Sequence, residues 1–254
     1  MKNVEKHLHS KIEEEGTAHL TLIDPDEQNP REAAEIAKKA VKLGSDGIMV
    51  GGSIGAGPLM SKCTEAIQKA VEDVPVLTFP GNVDNVTDKA DCLLYMSLVN
   101  SRNPYWITQA QALSAPAIAK LDLEVVPMAY LIAEPGGTVG TVGDANPVPR
   151  EKPQIAMSFA LSQQMLGKKL IYLEAGSGAE DPVPEKIVKM CSKALEVPLI
   201  VGGGIRNGED AYKISKAGAD IVVTGTVVEK SEGERKLKEI IQGVKKAGKE
   251  KLGL

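Results

Sequence analysis

The chain has 254 residues and a net charge of −4 at pH 7, with 43% apolar residues but only 3% aromatic ones. This length suits one large domain with an aliphatic core, and a (β/α)8 barrel takes about 250 residues. The acidic balance argues against a general nucleic-acid binder, no apolar run approaches the roughly 18 residues of a membrane span, and the first residues do not form a signal peptide.

Short aliphatic runs at 18–23, 47–50, 75–79, 92–96, 125–132, 169–173, 198–201 and 220–223 read as strands. Amphipathic helical patterns follow most of them, at 30–43, 58–71, 104–113, 153–166, 184–195, 208–216 and 234–246. Pro30, Pro58, Pro104, Pro153 and Pro184 stand at helix starts, where the missing N–H costs nothing. Strands alternating with helices predict a parallel sheet buried on both faces. The expected architecture is therefore α/β, a single (β/α)8 TIM-barrel domain over residues 1–254. The interval 81–91 barely reaches the dozen or so residues a parallel crossover needs. The third helix is accordingly expected to be shortened or replaced by an extended segment. The long loop at 133–153, rich in glycine and proline, reads as a functional lid or mobile segment. Cys63, Cys92 and Cys191 lack metal or disulfide spacing and read as reduced thiols of a cytoplasmic protein. His7, His9 and His19 share no metal spacing. The tail from 230 to 254, with eight basic and four acidic residues, reads as a solvated helix, with peripheral membrane contact as the alternative.

Chemistry collects at the strand ends. Residues 198–206 run Pro-Leu-Ile-Val-Gly-Gly-Gly-Ile-Arg, and 221–226 run Ile-Val-Val-Thr-Gly-Thr. Strands that stop in glycine let backbone N–H groups approach an anion with no Cβ in the way, and strands 7 and 8 of a barrel commonly hold a phosphate. The first strand ends in Leu22-Ile-Asp-Pro-Asp26, so Asp24 at the barrel mouth is a candidate Mg²⁺ ligand or else a turn aspartate. Ser53, in the Gly51-Gly-Ser53 end of the second strand, offers a hydroxyl beside it or merely closes a turn. Glu174 ends an otherwise apolar sixth strand, where burial raises a carboxylate's pKa and suits it to base work; a structural ion pair is the other reading. Ala175-Gly176-Ser177-Gly178 after it would expose N–H groups as a third wall for the anion.

Taken together, Leu22–Asp26, Val50–Ser53, Phe79–Gly81, Met96–Ile107, Tyr130–Thr138, Tyr172–Gly178, Val201–Arg206 and Val223–Thr226 resemble the geranylgeranylglyceryl phosphate synthases, over about residues 4 to 248. The resemblance implies a prenyltransferase that joins geranylgeranyl diphosphate to sn-glycerol 1-phosphate in archaeal ether-lipid synthesis. It implies that Asp24 and Ser53 hold Mg²⁺, and that Tyr172, Leu173, Glu174, Ala175, Gly176, Ser177, Gly178, Gly203, Gly204, Gly225 and Thr226 bind the glycerol phosphate. Glu174 would take the proton of the attacking hydroxyl. A homo-oligomer is expected with it. The alternatives are a related synthase with a longer prenyl donor and a phosphosugar isomerase or epimerase on the same barrel.

Overall fold

The computed structural model describes residues 3–52, 57–225 and 233–254. Eight parallel strands, β1 Ala18–Ile23, β2 Gly47–Val50, β3 Val76–Thr78, β4 Cys92–Leu98, β5 Glu124–Ile132, β6 Leu170–Glu174, β7 Leu199–Gly202 and β8 Ile221–Thr224, close in sequence order into a barrel. The closure is β8 pairing back onto β1, with Ala18 opposite Ile221 and Thr21 opposite Thr224. Outside lie α2 Pro30–Leu43, α3 Pro58–Ala70, α4 Ala110–Ile118, α6 Pro153–Met165, α7 Glu185–Ala194, α8 Gly208–Ala217 and α9 Gly233–Lys251. Inward residues such as Leu20, Met49, Leu77, Leu94, Met128, Tyr172, Ile200 and Val223 pack into one cluster, and the outward residues pack against the helices in two others.

A helix the sequence pattern does not announce, α1 Val4–Glu15, closes the barrel's N-terminal end. Val4, Leu8 and Ile12, spaced by four, send one apolar stripe into the interior cluster. Glu124, at the start of β5, accepts the N–H groups of Asn3 at 2.8 Å and Glu5 at 2.9 Å, satisfying donors at the helix's first turn. α1 thus packs against the end opposite the C-terminal mouth, where the cavity opens.

The connection from β3 to β4 departs from the barrel repeat as expected. A single 3-10 turn, Val83–Asn85, stands in place of the third helix. Pro80 and Gly81 discourage helix, and the Asn82 side chain accepts the Val83 N–H at 2.8 Å to start the turn. After β4 the expected single helix is split. A wide π turn, Tyr105–Gln109, precedes α4; its Ile107 carbonyl accepts from Ser97 at 2.7 Å and its Trp106 carbonyl from Gln111 at 3.2 Å. The long segment after β5 is folded too. It carries the short helix α5 Gly137–Val142 and bridges Ala133 to Val148 and Ser101 to Ala145. The Asn100 amide reaches the carbonyls of Ile132 at 2.8 Å and Asn146 at 2.9 Å, which ties this segment to the end of β4.

Candidate active site

Alternation along the strands decides which predicted residues can meet. Leu20 and Leu22 on β1 face inward, so Asp24 two residues on faces the mouth; on β6 the inward pair is Tyr172 and Glu174. A cavity of about 470 Å³ opens there, and Asp24, Tyr172, Glu174, Ser177, Gly178, Gly203, Gly204 and Gly225 line it. Leu173 and Ala175 point the other way, fully buried beneath the helices. Ser53 and Thr226 lie outside the described residues.

The anion wall differs in detail from expectation. Among the described residues none offers an acceptor to the N–H groups of Gly178, Gly203, Gly204 and Gly225, which leaves them for a ligand. The N–H groups of Ala175 and Gly176 are already spent, on Gly202 O at 3.1 Å and Glu174 Oε1 at 2.7 Å, so they form no third wall. Gly203 and Gly204 adopt φ of +79° and +73°, a conformation that aims consecutive N–H groups to one side. Their missing side chains serve the protein's own packing. A Cβ on Gly203 would fall 2.1 Å from Glu174 Oε1, and one on Gly204 would fall 2.3 Å from the Asp181 carbonyl. Arg206 and Lys236 bring positive charge to the same cavity.

Glu174 sits at the centre, buried, with its carboxylate held by the Gly176 N–H and the hydroxyls of Tyr172 and Tyr130. Burial pushes its pKa above the usual carboxylate range, and those three donors pull against the rise. The two tyrosines stay protonated, since burial and the neighbouring carboxylate drive their own pKa values well up. Their rings form a plug with Phe79: ring centroids are 5.1 Å apart for Phe79 and Tyr130, 5.7 Å for Phe79 and Tyr172, and 5.0 Å for Tyr130 and Tyr172. In a chain with two phenylalanines, five tyrosines and one tryptophan, that concentration marks the cavity floor. Gly202 makes room for it, because a Cβ there would sit 2.3 Å from the Tyr172 hydroxyl.

Asp24 borders the cavity opposite β6 and accepts the Asp26 N–H at 3.0 Å through Oδ1. Its carboxylate fills the space a Cβ on Gly52 would take, 2.4 Å from Oδ1. No group of three or more His, Cys, Asp or Glu side chains suited to a metal occurs among the described residues. A hard carboxylate at the barrel mouth fits Mg²⁺, which takes one or two carboxylates and fills its shell with water and substrate oxygens; it does not fit a dedicated zinc or calcium cage.

The resemblance implies an apolar groove that strand 4 helps line, and the structure gives its other residues. Pro80, Met96, Leu98, Trp106, Val139 and Val142 face the cavity from four separate stretches of chain. Beyond Met96 and Trp106 a second cavity of about 40 Å³ continues under α4, lined by Val83, Val86 and Ile118 among others. It occupies the region where the 3-10 turn replaces a barrel helix. Its signal in the sequence was the short 81–91 interval. Tyr130 was missed as a partner of Glu174, although it shares the inward face two strand positions before Ile132. His19 proves to be a core residue, its Nε2 2.9 Å from Thr224 Oγ1, and burial lowers its pKa to about 3.

Comparison with known proteins bears on this site. A family model for the PcrB family matches residues 9–244. The chain is 51% identical over 242 residues to the geranylgeranylglyceryl phosphate synthase of Methanothermobacter thermautotrophicus, covering 95% of this chain and 98% of the relative. It is 52% identical over 242 residues to the enzyme of the same name from Methanothermobacter marburgensis, with coverage of 95% and 98%. The crystal structure of (S)-3-O-geranylgeranylglyceryl phosphate synthase from Thermoplasma acidophilum, in complex with sn-glycerol-1-phosphate, superposes with a TM-score of 0.92 at 39% identity, covering 97% of this chain and all of that one.

Proposed function

The chain belongs to the PcrB family, and on that premise we propose that it is a geranylgeranylglyceryl phosphate synthase, joining a C20 prenyl diphosphate to sn-glycerol 1-phosphate. The observation that carries this reading is the two-ended cavity. Unbonded backbone N–H groups and Arg206 surround one end, and Met96, Leu98, Trp106 and the second cavity extend the other. A phosphosugar isomerase would use the first end and leave the second without purpose.

In the reaction the allylic C1–O bond to diphosphate breaks as the glycerol hydroxyl oxygen bonds to C1. The hydroxyl proton passes to Glu174, whose raised pKa makes it a better base than an ordinary surface carboxylate. Tyr130 and Tyr172 orient that carboxylate, and the aromatic floor keeps water from competing for the allylic carbon. Asp24 and Ser53 would hold Mg²⁺, which when bound would neutralise charge on the departing diphosphate. A cytoplasmic enzyme is proposed, with peripheral membrane contact to deliver its lipid product; among the described residues no helix is long and apolar enough to cross a membrane. A homo-oligomer is also proposed. α4 and α6 carry no charged residue, and Leu113 and Met165 on them are 67% and 76% exposed, which favours cover by a second copy.

The test is incubation with labelled sn-glycerol 1-phosphate, Mg²⁺ and prenyl diphosphates from C10 to C35. Each isoprene unit buried is worth at most about 1.5–3 kcal/mol, so C20 should exceed C15 by about tenfold, and by no more than about 150-fold, in kcat/KM. Equal rates from C10 to C35 would mean that no fitted apolar groove exists.

A further inference from the structure

The walls of the anion end are tied together by a side chain to which the mechanism above gives no role beyond its charge. Arg206 belongs to the loop between β7 and α8. Its backbone N–H donates to Asp210 Oδ2 at 3.3 Å, the oxygen that also accepts from Asn207 Nδ2 at 2.9 Å. Asn207 in turn caps α8 by accepting the Asp210 N–H at 2.9 Å. The backbone of Arg206 is thus fixed to the first turn of a ten-residue helix. Its side chain runs the other way: Nη2 donates to the carbonyls of Gly178 at 3.1 Å and Ala179 at 2.9 Å, in the loop after β6.

That loop needs such a tie. Gly176 and Gly178 take φ of +105° and +76°, and glycines that hold these angles lose more chain entropy than other residues would. Ala179 N–H to Gly176 O at 3.1 Å closes a turn within it. A guanidinium donates charge-assisted bonds from a rigid planar fork, stronger than neutral ones. It also covers two carbonyl oxygens that would otherwise add negative potential beside a phosphate.

We propose that Arg206 is a positioning residue for glycerol phosphate, clamping the loop after β6 onto the loop after β7 so that the free N–H of Gly178 meets the same anion as those of Gly203 and Gly204. The proposal rests on the functional reading above for the identity of the anion. On it, the residue acts on one substrate and not on the other.

Two measurements test it on the full chain. The first varies sn-glycerol 1-phosphate and geranylgeranyl diphosphate independently for the wild type, Arg206→Gln and Arg206→Lys. Arg206→Gln should raise KM for glycerol phosphate by about tenfold, with KM for the prenyl donor and kcat within about threefold. Arg206→Lys, which keeps the charge but not the fork, should stay within about threefold of the Gln variant. The second measures amide hydrogen exchange over residues 176–181 in substrate-free protein, which should speed up in both variants. Equal rises in both KM values, full recovery in Arg206→Lys, or unchanged exchange would each overturn the clamp. A wild-type protein inactive on these substrates would overturn the functional reading, and the exchange result would still decide the clamp.

Discussion

The two ends of the cavity are built on different principles. The anion end is made of backbone: glycines after β6, β7 and β8 present N–H groups whose direction is set by strand register and by left-handed glycines such as Gly178, Gly203 and Gly204. The apolar end is made of side chains, Pro80, Met96, Leu98, Trp106, Val139 and Val142, brought together by a missing barrel helix and a folded β5–α6 segment. A backbone site has one shape and fixes one small charged group. A side-chain site can be refilled by substitution, so within one fold the donor end is free to vary while the anion end is not.

The largest expected effect lies at the cavity mouth. Asp24, directly after β1, lines the cavity, and removing its charge while keeping its shape takes away the carboxylate proposed to hold Mg²⁺ at the leaving group. Asp24→Asn should lower turnover by at least about a hundredfold, the scale of a lost electrostatic contact in the transition state, with unfolding behaviour close to wild type. Near-normal activity of this variant at limiting Mg²⁺ would remove the metal from the mechanism.

A smaller effect separates glycines that serve the ligand from glycines that serve the fold. Gly225 needs no left-handed backbone, and an added Cβ would meet Leu22 at 3.4 Å, an ordinary contact. Gly225→Ala should fold normally and raise KM for glycerol phosphate by about tenfold, or about 1.4 kcal/mol, leaving KM for the donor alone. Gly204→Ala instead drives a Cβ to 2.3 Å from the Asp181 carbonyl at φ +73°. It should lower the denaturation midpoint before any question of affinity arises. Similar KM changes for both substrates in Gly225→Ala would move the cradle to the other ligand.

This contrast also explains what could be read from the chain. The barrel was legible because eight aliphatic runs alternate with helical patterns, and the anion end because glycines directly follow two of those runs. Strand ends were placed about a residue early on β6, β7 and β8, where Glu174, Gly202 and Thr224 continue the ladder despite being polar or small. α1 escaped because three apolar residues in a charged segment look like surface helix until a barrel bottom receives them. The bonded N–H groups of Ala175 and Gly176 could not be foreseen, since their acceptors are Gly202 on the next strand and a side chain curling back on its own loop. Most residues of the apolar end could not be named for a deeper reason: no local pattern marks residues from four stretches that converge through tertiary packing.

The smallest predicted effect is a shift in pH dependence, and it tests whether the centre of the site belongs to the anion end. The Tyr130 hydroxyl donates to Glu174 and favours its ionised form, opposing the rise that burial imposes. The base must be ionised to accept a proton, so activity is present above its pKa and is lost as pH falls through it. Removing the donor in Tyr130→Phe raises that pKa further, and the acid limb of kcat/KM should move to higher pH. A hydrogen bond to a charged group nets about 1.5–3 kcal/mol, but the Gly176 N–H and Tyr172 hydroxyl remain, so a shift of up to about one pH unit is expected. Above that limb the variant should approach wild-type rates, because ring packing against Phe79 and Tyr172 survives the loss of one oxygen. Met96→Leu, at the apolar end, is the matching control; it should change KM for the donor and leave the limb where it is. If Tyr130→Phe leaves the limb in place while Met96→Leu moves it, Glu174 is not the group that titrates, and the base must be sought on the donor side.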